Sequence, residues 1–211
     1  MRITKFEHSC VEIVESGSNL VIDPGAYLAP RDFDDVVAVV ITHEHPDHWT
    51  PDNVRGILAR NSGARVFGPQ GVATAVGDAF ALEVVAPGDS VEAGPFRLQF
   101  FGGKHNLIHE SVPIIDNVGV LVNDTFYYGG DSYDGPSVPV AVLAAPIGAP
   151  WLKIGDAMDY VLAVKPERAF YTHDAPLSSA GRAMAEPRLK WAVEQNGGTY
   201  LELEPGASID A

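Results

Sequence analysis

Three histidines and an aspartate fall within six residues, in the run Thr-His-Glu-His-Pro-Asp-His at positions 42–48, although the chain has only seven histidines. The run directly follows an apolar, β-branched segment, Val36–Ile41, which is typical of a buried strand. His43 and His45 are two residues apart, so an extended backbone points both rings to the same side. Pro46 then turns the chain, so that Asp47 and His48 can face a second metal position beside the first. Imidazole and carboxylate ligands suit zinc, iron or manganese, so the motif predicts a metal-binding loop.

Four ligands are too few for two metal sites, and three further candidates follow other apolar segments. His105, Asp131 and His173 each lie just past a predicted strand, where functional side chains often cluster on a rigid scaffold. His109, four residues after His105, is an alternative ligand and a candidate general acid or oxyanion donor. The predicted metal ligands are His43, His45, Asp47, His48, His105, Asp131 and His173.

Short strands and helices must position these residues, and they follow the same order in both halves of the chain. Strands are predicted at Ile3–Glu7, Val11–Glu15, Leu20–Asp23, Val36–Thr42, Arg65–Gly68, Leu82–Val85, Val91–Glu92, Phe96–Phe101, Val118–Val122, Thr125–Tyr128, Val140–Ala144, Arg168–Thr172 and Thr199–Leu203. Helices are predicted from Pro51, at Gly71–Ala79, at Trp151–Val164 and at Ser178–Gln195, the last of these broken at Pro187. This order predicts two β-sheets that face each other with helices outside.

Composition restricts the class of protein. A chain of 211 residues predicts one domain spanning residues 1–211. The net charge of −14, from 14 basic and 28 acidic residues, disfavours nucleic acid and anionic membranes as partners. A small anionic substrate stays compatible, because bound metal ions reverse the local field. The single cysteine excludes an intramolecular disulfide. Since Met1–Glu7 lacks the apolar stretch of a signal peptide and no run approaches a membrane helix, we expect a cytoplasmic protein.

The central motif resembles the His-x-His-x-Asp-His signature of the metallo-β-lactamase superfamily, and the resemblance covers nearly the whole chain. Ile3–Cys10, Leu20–Gly25, Tyr128–Ser132 and Tyr171–Asp174 look like the superfamily's branch of small metal-dependent hydrolases related to ascorbate-6-phosphate lactonase. This resemblance implies an α+β fold, a four-layer αββα sandwich of two mixed β-sheets with helices on the outer faces.

The resemblance also implies two divalent metal ions, with zinc favoured over manganese or iron. One ion would be held by His43, His45 and His105, the other by Asp47, His48 and His173, with Asp131 bridging them. The ions would lower the pKa of bound water toward about 7 and so supply hydroxide at neutral pH. That hydroxide would attack an ester, lactone or phosphoester centre of a small-molecule substrate, and Asp47 would orient it as well as bind metal.

Supporting roles for three other residues stay open at this stage. His8 either lines the site or is a structural histidine, and Asp23 either accepts a hydrogen bond from a ligand histidine or forms a turn. Trp151 has the spacing of a core residue on its predicted helix, which we favour over a position beside the pocket.

Two alternative functions compete with the hydrolase. One is an oxidoreductase with a mononuclear iron site, as in the persulfide dioxygenases of the same superfamily. The other is a non-catalytic metal-binding domain. All seven candidate ligands are present, which favours the binuclear hydrolase over both.

Overall fold

Fourteen strands and four helices make up the fold in a computed structural model that describes residues 1–211. The strands are β1 (Arg2–Lys5), β2 (Val11–Glu15), β3 (Ser18–Ile22), β4 (Val36–Val40), β5 (Arg65–Gly68), β6 (Glu83–Val84), β7 (Ser90–Ala93), β8 (Phe96–Lys104), β9 (Asp116–Val122), β10 (Phe126–Tyr128), β11 (Val142–Pro146), β12 (Arg168–Thr172), β13 (Thr199–Tyr200) and β14 (Ser208–Asp210). The helices are α1 (Pro51–Arg60), α2 (Gln70–Val76), α3 (Ile154–Val164) and α4 (Ser179–Gln195).

The strands form two mixed sheets of seven with the same pattern of directions. Their spatial orders are β14-β1-β2-β3-β4-β5-β6 and β13-β12-β11-β10-β9-β8-β7. In the first sheet the pairings from β14 to β3 are antiparallel and those from β3 to β6 are parallel. In the second, the pairings from β7 to β10 are antiparallel and those from β10 to β13 are parallel. The helices join neighbouring parallel strands in each sheet, which need such crossovers.

Three clusters of buried side chains define the stacking of the layers. The largest contains 22 residues, nearly all of them on strands of the two sheets. A cluster of 14 residues, including Tyr160 and Leu189, joins the second sheet to α3 and α4. A cluster of 13 residues, including Val54 and Val72, joins the first sheet to α1 and α2. The layers therefore run helix, sheet, sheet, helix, which confirms the αββα sandwich expected from the sequence.

Local signals in the sequence account for several element boundaries. The Thr50 hydroxyl accepts a hydrogen bond from the backbone N–H of Asn53, and Pro51 lies in the first turn, so α1 begins where the sequence predicts. Asn123 and Asp124 both have positive φ, as the two central residues of a type I′ turn require, and the backbone N–H of Thr125 closes this turn between β9 and β10 by donating to the carbonyl of Val122 at 3.0 Å. None of the four helices combines the length and the apolar character needed to cross a membrane.

The predicted break in the last helix was wrong, because α4 continues through Pro187. A proline inside a helix removes one backbone hydrogen bond and crowds the preceding turn. The residues that follow it, Leu189, Ala192 and Val193, are fully buried in the cluster shared with the second sheet. Burial of these side chains offsets the free-energy cost of the proline inside the helix. The short edge strand β14, which pairs only with β1, was not predicted.

Loops at one end of the sandwich carry the predicted site residues. The motif at 43–48 follows β4, and β8, β10 and β12 lead into His105, Asp131 and His173. Backbone hydrogen bonds tie these loops together: the N–H of His173 donates to the carbonyl of His8 at 2.9 Å, and that of Asn106 donates to the carbonyl of Asp131 at 2.8 Å. Residues distant in the sequence are thereby fixed next to one another.

Candidate metal centre

Eight histidine and aspartate side chains meet at this end of the sandwich in two groups of four. One group contains His43, His45, His105 and Asp131, and the other contains His8, Asp47, His48 and His173. Within each group, one potential ligand atom per residue lies within 4.8 Å of the others. Six of the eight are buried, and His45 and Asp47 are partly exposed. The structure thus brings together all seven predicted ligands and adds His8.

The Asp131 carboxylate lies between the two groups. Its Oδ1 atom is 3.1 Å from Nε2 of His48. Its Oδ2 atom is 3.2 Å from Nε2 of His173 and 3.3 Å from Nε2 of His105. One carboxylate therefore contacts members of both groups, as a ligand shared by two ions must.

Three of the histidines are anchored through Nδ1, which leaves Nε2 facing the centre. His48, His105 and His173 donate, respectively, to Asp23 Oδ2 at 2.6 Å, to the carbonyl of Asn106 at 2.5 Å and to the carbonyl of Gly148 at 2.5 Å. This is the usual arrangement around a metal-bound histidine. The Nε2 atoms of these three rings, together with Asp131 Oδ1, are buried and have no hydrogen-bond partner. An unsatisfied buried polar atom costs about 1–3 kcal/mol, so four such atoms facing one another fit a site for cations.

Asp23 organises the histidines of both groups. Its carboxylate accepts the backbone N–H of Thr42 at 2.8 Å, the Thr42 hydroxyl at 2.7 Å and His48 Nδ1–H at 2.6 Å. Because the Thr42 hydroxyl proton points to Asp23, its oxygen is free to accept Nδ1–H of His43 at 3.1 Å. The hydrogen bond from a candidate ligand histidine that the sequence suggested for Asp23 is therefore present.

His43 and His45 face each other through ring nitrogens. With its proton on Nδ1, His43 presents the lone pair of Nε2, which lies 3.1 Å from Nδ1 of His45. Two nitrogen ligands about 2.0–2.1 Å from a tetrahedral ion are about 3.4 Å apart. The observed separation therefore fits two ligands that share one cation.

His8 has the opposite tautomer from the anchored histidines. Its Nδ1 accepts the backbone N–H of Ala175 at 3.2 Å, so the neutral ring carries its proton on Nε2. That Nε2–H donates to Asp47 Oδ2 at 3.1 Å. Burial lowers the pKa of His8 to about 4, which keeps the ring neutral. In this arrangement His8 is a hydrogen-bond donor to Asp47. Like His105 and His173, it lies just past a strand, and that signal would have placed it in the site.

Three of the eight non-glycine residues with positive φ lie at the centre. His8, Asp23 and His173 have φ values of 59°, 50° and 59°, in the left-handed region. This conformation costs a non-glycine residue about 1–2 kcal/mol. Strain of this kind persists where surrounding contacts enforce it, often at functional sites. The same three residues hold or orient side chains of the two groups.

In the metal-free protein, Asp131 forms charge pairs with two of the histidines, and these pairs shift the pKa values of all three groups. Burial alone would raise the pKa of Asp131, but His48 and His173 hold it well below its usual range. Burial alone would lower the pKa of His48, but Asp131 and Asp23 raise it well above its usual value. The pKa of His173 rises to about 9 because Asp131 and Asp47 outweigh its burial. Burial dominates at His43 and holds its pKa well below its usual value.

The metal-free protein should therefore lose stability as the pH rises from about 6.5 to 9. His173 binds its proton more tightly in the folded state, so its contribution is complete below the unfolded pKa of 6.5 and is lost through the folded pKa of about 9. The shift corresponds to roughly 3 kcal/mol. Urea unfolding of chelator-treated protein at pH 6, 7.5 and 9 measures this. His173→Gln should make the profile less steep, with the remaining slope due to His48, whose pKa is also raised, and an unchanged profile in that variant would contradict the assignment.

His109 belongs to neither group. It is exposed, and its Nδ1 is paired with the hydroxyl of Ser111 at 2.7 Å. Of the two candidates on this loop, His105 joins the first group, and its ring lies 5.0 Å from that of His43. The catalytic role suggested for His109 stays a prediction.

Trp151 lies at the centre, and its expected position on the core face of a helix was wrong. The helix α3 begins at Ile154, and Trp151 belongs to the turn before it. Its indole Nε1–H donates to Asp131 Oδ2 at 2.8 Å. Its ring also lies 5.8 Å from that of His105. Helical spacing is misleading here because the side chain is held by a contact with another loop.

Known proteins resemble this chain in sequence and in fold. Protein Rv0786c of Mycobacterium tuberculosis is 32% identical over 197 residues, which cover 90% of this chain and 91% of that protein. A UPF0173 metal-dependent hydrolase of Aeropyrum pernix is 27% identical over 150 residues, 62% of this chain and 61% of that protein. The structure of Igni18, a metallo hydrolase from Ignicoccus hospitalis, matches with a TM-score of 0.74 at 20% identity over 99% of this chain and 97% of that one, which shows a shared fold.

A family model adds to these similarities. The model described as the beta-lactamase superfamily domain matches residues 2–173. This span includes twelve of the fourteen strands and every residue of the two groups. The chain therefore belongs to the beta-lactamase superfamily domain family.

Proposed function

We propose that this protein is a metal-dependent hydrolase that uses a binuclear centre to cleave an ester, lactone or phosphoester bond in a small molecule. The observation that carries the proposal is the set of four buried, partnerless atoms: Asp131 Oδ1 and the Nε2 atoms of His48, His105 and His173. The relative from Aeropyrum pernix, which is named a metal-dependent hydrolase, supports it. The net charge of −14 favours a small molecule over nucleic acid as substrate.

Seven of the eight side chains form two ligand sets that share the Asp131 carboxylate, and His8 belongs to neither set. We assign His43, His45 and His105 to one ion, Asp47, His48 and His173 to the other, and Asp131 to both. Nitrogen and carboxylate ligands in this number suit zinc, with manganese or iron as alternatives. When bound, two such ions would activate water for attack and stabilise negative charge on the attacked oxygen.

Asp47 and His109 are the proposed catalytic side chains of the protein. Burial would raise the pKa of Asp47, but the neighbouring imidazoles of His173 and His8 hold it below its usual range. Asp47 therefore stays ionised, and its partly exposed carboxylate is placed to bind metal and to orient the attacking water. His109, on the loop after His105, would donate a proton or a hydrogen bond to the substrate.

Metal content tests the proposal directly. We expect about two equivalents of metal in the wild type and about one in His48→Ala, because the variant loses a ligand of only one ion. His109→Ala is the matched control, because it removes an exposed imidazole outside both groups. It should retain two equivalents. Elemental mass spectrometry of protein purified without added metal measures the number of metal ions per chain.

The outcomes separate the competing functions. Absence of metal even after reconstitution would exclude the metal centre. One equivalent of iron that is unaffected by His48→Ala would favour the alternative oxidoreductase with a mononuclear iron site. Comparing the rates at which the two-metal form hydrolyses a nitrophenyl ester, a lactone and a phosphodiester would then identify the class of bond that it cleaves. A metal-loaded protein inactive toward every bond class would favour a non-catalytic domain.

A further inference from the structure

The indole of Trp151 makes a hydrogen bond to the carboxylate that lies between the two groups. Its Nε1–H donates to Asp131 Oδ2 at 2.8 Å. This is the one well-aligned hydrogen bond that the carboxylate accepts from a side chain outside the eight candidate ligands. The ring is flanked by Tyr133, at 5.4 Å between centroids, and by His105 and His173, at 5.8 and 6.1 Å. These neighbours restrict the direction in which the N–H points.

We propose that Trp151 is a positioning residue for the metal centre: its indole N–H fixes the rotation of the Asp131 carboxylate so that this group can serve both ions. The inference rests on the proposed function and deepens it. The backbone of Asp131 is already held, because its N–H donates to Asn117 Oδ1 at 3.1 Å. This backbone contact does not restrict rotation of the carboxylate about its Cβ–Cγ bond. The indole N–H restricts that rotation by holding Oδ2.

Tryptophan suits this task chemically. The indole N–H only donates and is uncharged, so it neither binds a divalent cation nor titrates with the histidines around it. With Oδ2 held by Trp151, Asp131 Oδ1 points to Nε2 of His48 at 3.1 Å and has no hydrogen-bond partner of its own. Without the indole, the carboxylate could rotate toward the imidazole rings of either group. The centre would then have to reorganise before it could bind metal.

The competing explanation is that Trp151 only forms a wall of the site. Trp151→Phe separates the two, because phenylalanine keeps an aromatic ring beside His105 and removes the N–H. Trp191→Phe is the matched control, because Trp191 lies on α4 with 47% of its surface exposed. Both variants lose one indole, and only the first loses a contact with the centre.

Zinc affinity, measured by competition with a chromophoric chelator, gives the first readout. Loss of a hydrogen bond to a ligand from outside the coordination sphere typically weakens metal binding by about 10–100-fold. We expect a loss of this size in Trp151→Phe and no change in Trp191→Phe, with the melting temperature of metal-free Trp151→Phe close to that of the wild type. Wild-type zinc affinity in Trp151→Phe would overturn the inference and leave the hydrolase proposal intact. Failure of the wild type to bind metal would instead remove the hydrolase proposal.

Hydrogen exchange of the indole N–H in the metal-free protein gives a second readout, which does not depend on how well a variant binds metal. The Trp151 indole proton should exchange slowly in the wild type and much faster in Asp131→Ala, whereas the Trp191 proton should be unaffected. Fast exchange at Trp151 in the wild type would contradict the hydrogen bond and overturn the inference. Slow exchange that persists in Asp131→Ala would overturn it equally.

Discussion

Asp131→Asn should leave the protein folded, lower its zinc affinity by more than about 100-fold and abolish hydrolysis. The substitution keeps the shape of the side chain and an oxygen that can accept from Trp151, but it removes the charge shared by the two groups. Residues outside a coordination sphere already contribute about 10–100-fold to metal affinity, so loss of a ligand that contacts His48, His105 and His173 should exceed that range. Chelator competition and metal content provide the measurement.

The same variant makes a prediction for the metal-free protein. Asp131 is the largest cause that raises the pKa of His173 to about 9, so that pKa should fall in Asp131→Asn, as an NMR titration can record. Asp78→Asn is the control, because it removes one negative charge from an exposed turn. It should change neither zinc affinity nor the pKa of His173. Two tightly bound zinc ions in Asp131→Asn would show that Asp131 is not a shared ligand.

The sequence predicted which side chains lie together at the candidate centre because each candidate ligand segment contains a local signal. The motif at 43–48 follows a buried β-branched strand, and His105, Asp131 and His173 each follow a strand of the second sheet. Strands of a sandwich that end at the same edge bring their following loops together, whatever their separation in the chain. Alternation of apolar residues and turn residues was therefore sufficient to place the ligands near one another.

The side chains that contact the candidate ligands were harder to predict, because these contacts join distant segments. The tautomer of His8 is set by the backbone N–H of Ala175, 167 residues away. Trp151 reaches Asp131 across 20 residues, and nothing in its helical spacing indicates this. Such contacts depend on how loops of the two sheets meet. That arrangement follows from the complete packing of the sandwich rather than from any local pattern.

Gly25→Ala should cause the largest loss of stability among single methyl additions at glycines in the loops around the centre. A Cβ atom at Gly25 would lie 1.8 Å from the carbonyl oxygen of Asp47 and 2.8 Å from the backbone nitrogen of His48. These are backbone atoms of the ligand loop, so no side-chain rotation can relieve the overlap. Overpacking usually costs about 1–3 kcal/mol, and a clash between two backbones should reach or exceed the upper end of that range.

Gly56→Ala is the matched control, because it adds the same methyl group inside α1, where a Cβ would meet nothing within 4 Å. Alanine is favoured over glycine in a helix by about 0.5–1 kcal/mol, so this variant should be slightly more stable than the wild type. Urea unfolding of the metal-free proteins measures both changes. Because the clash displaces the backbone that carries Asp47 and His48, Gly25→Ala should also bind zinc more weakly. A stable Gly25→Ala protein with wild-type zinc affinity would mean that this loop contact does not position the ligands.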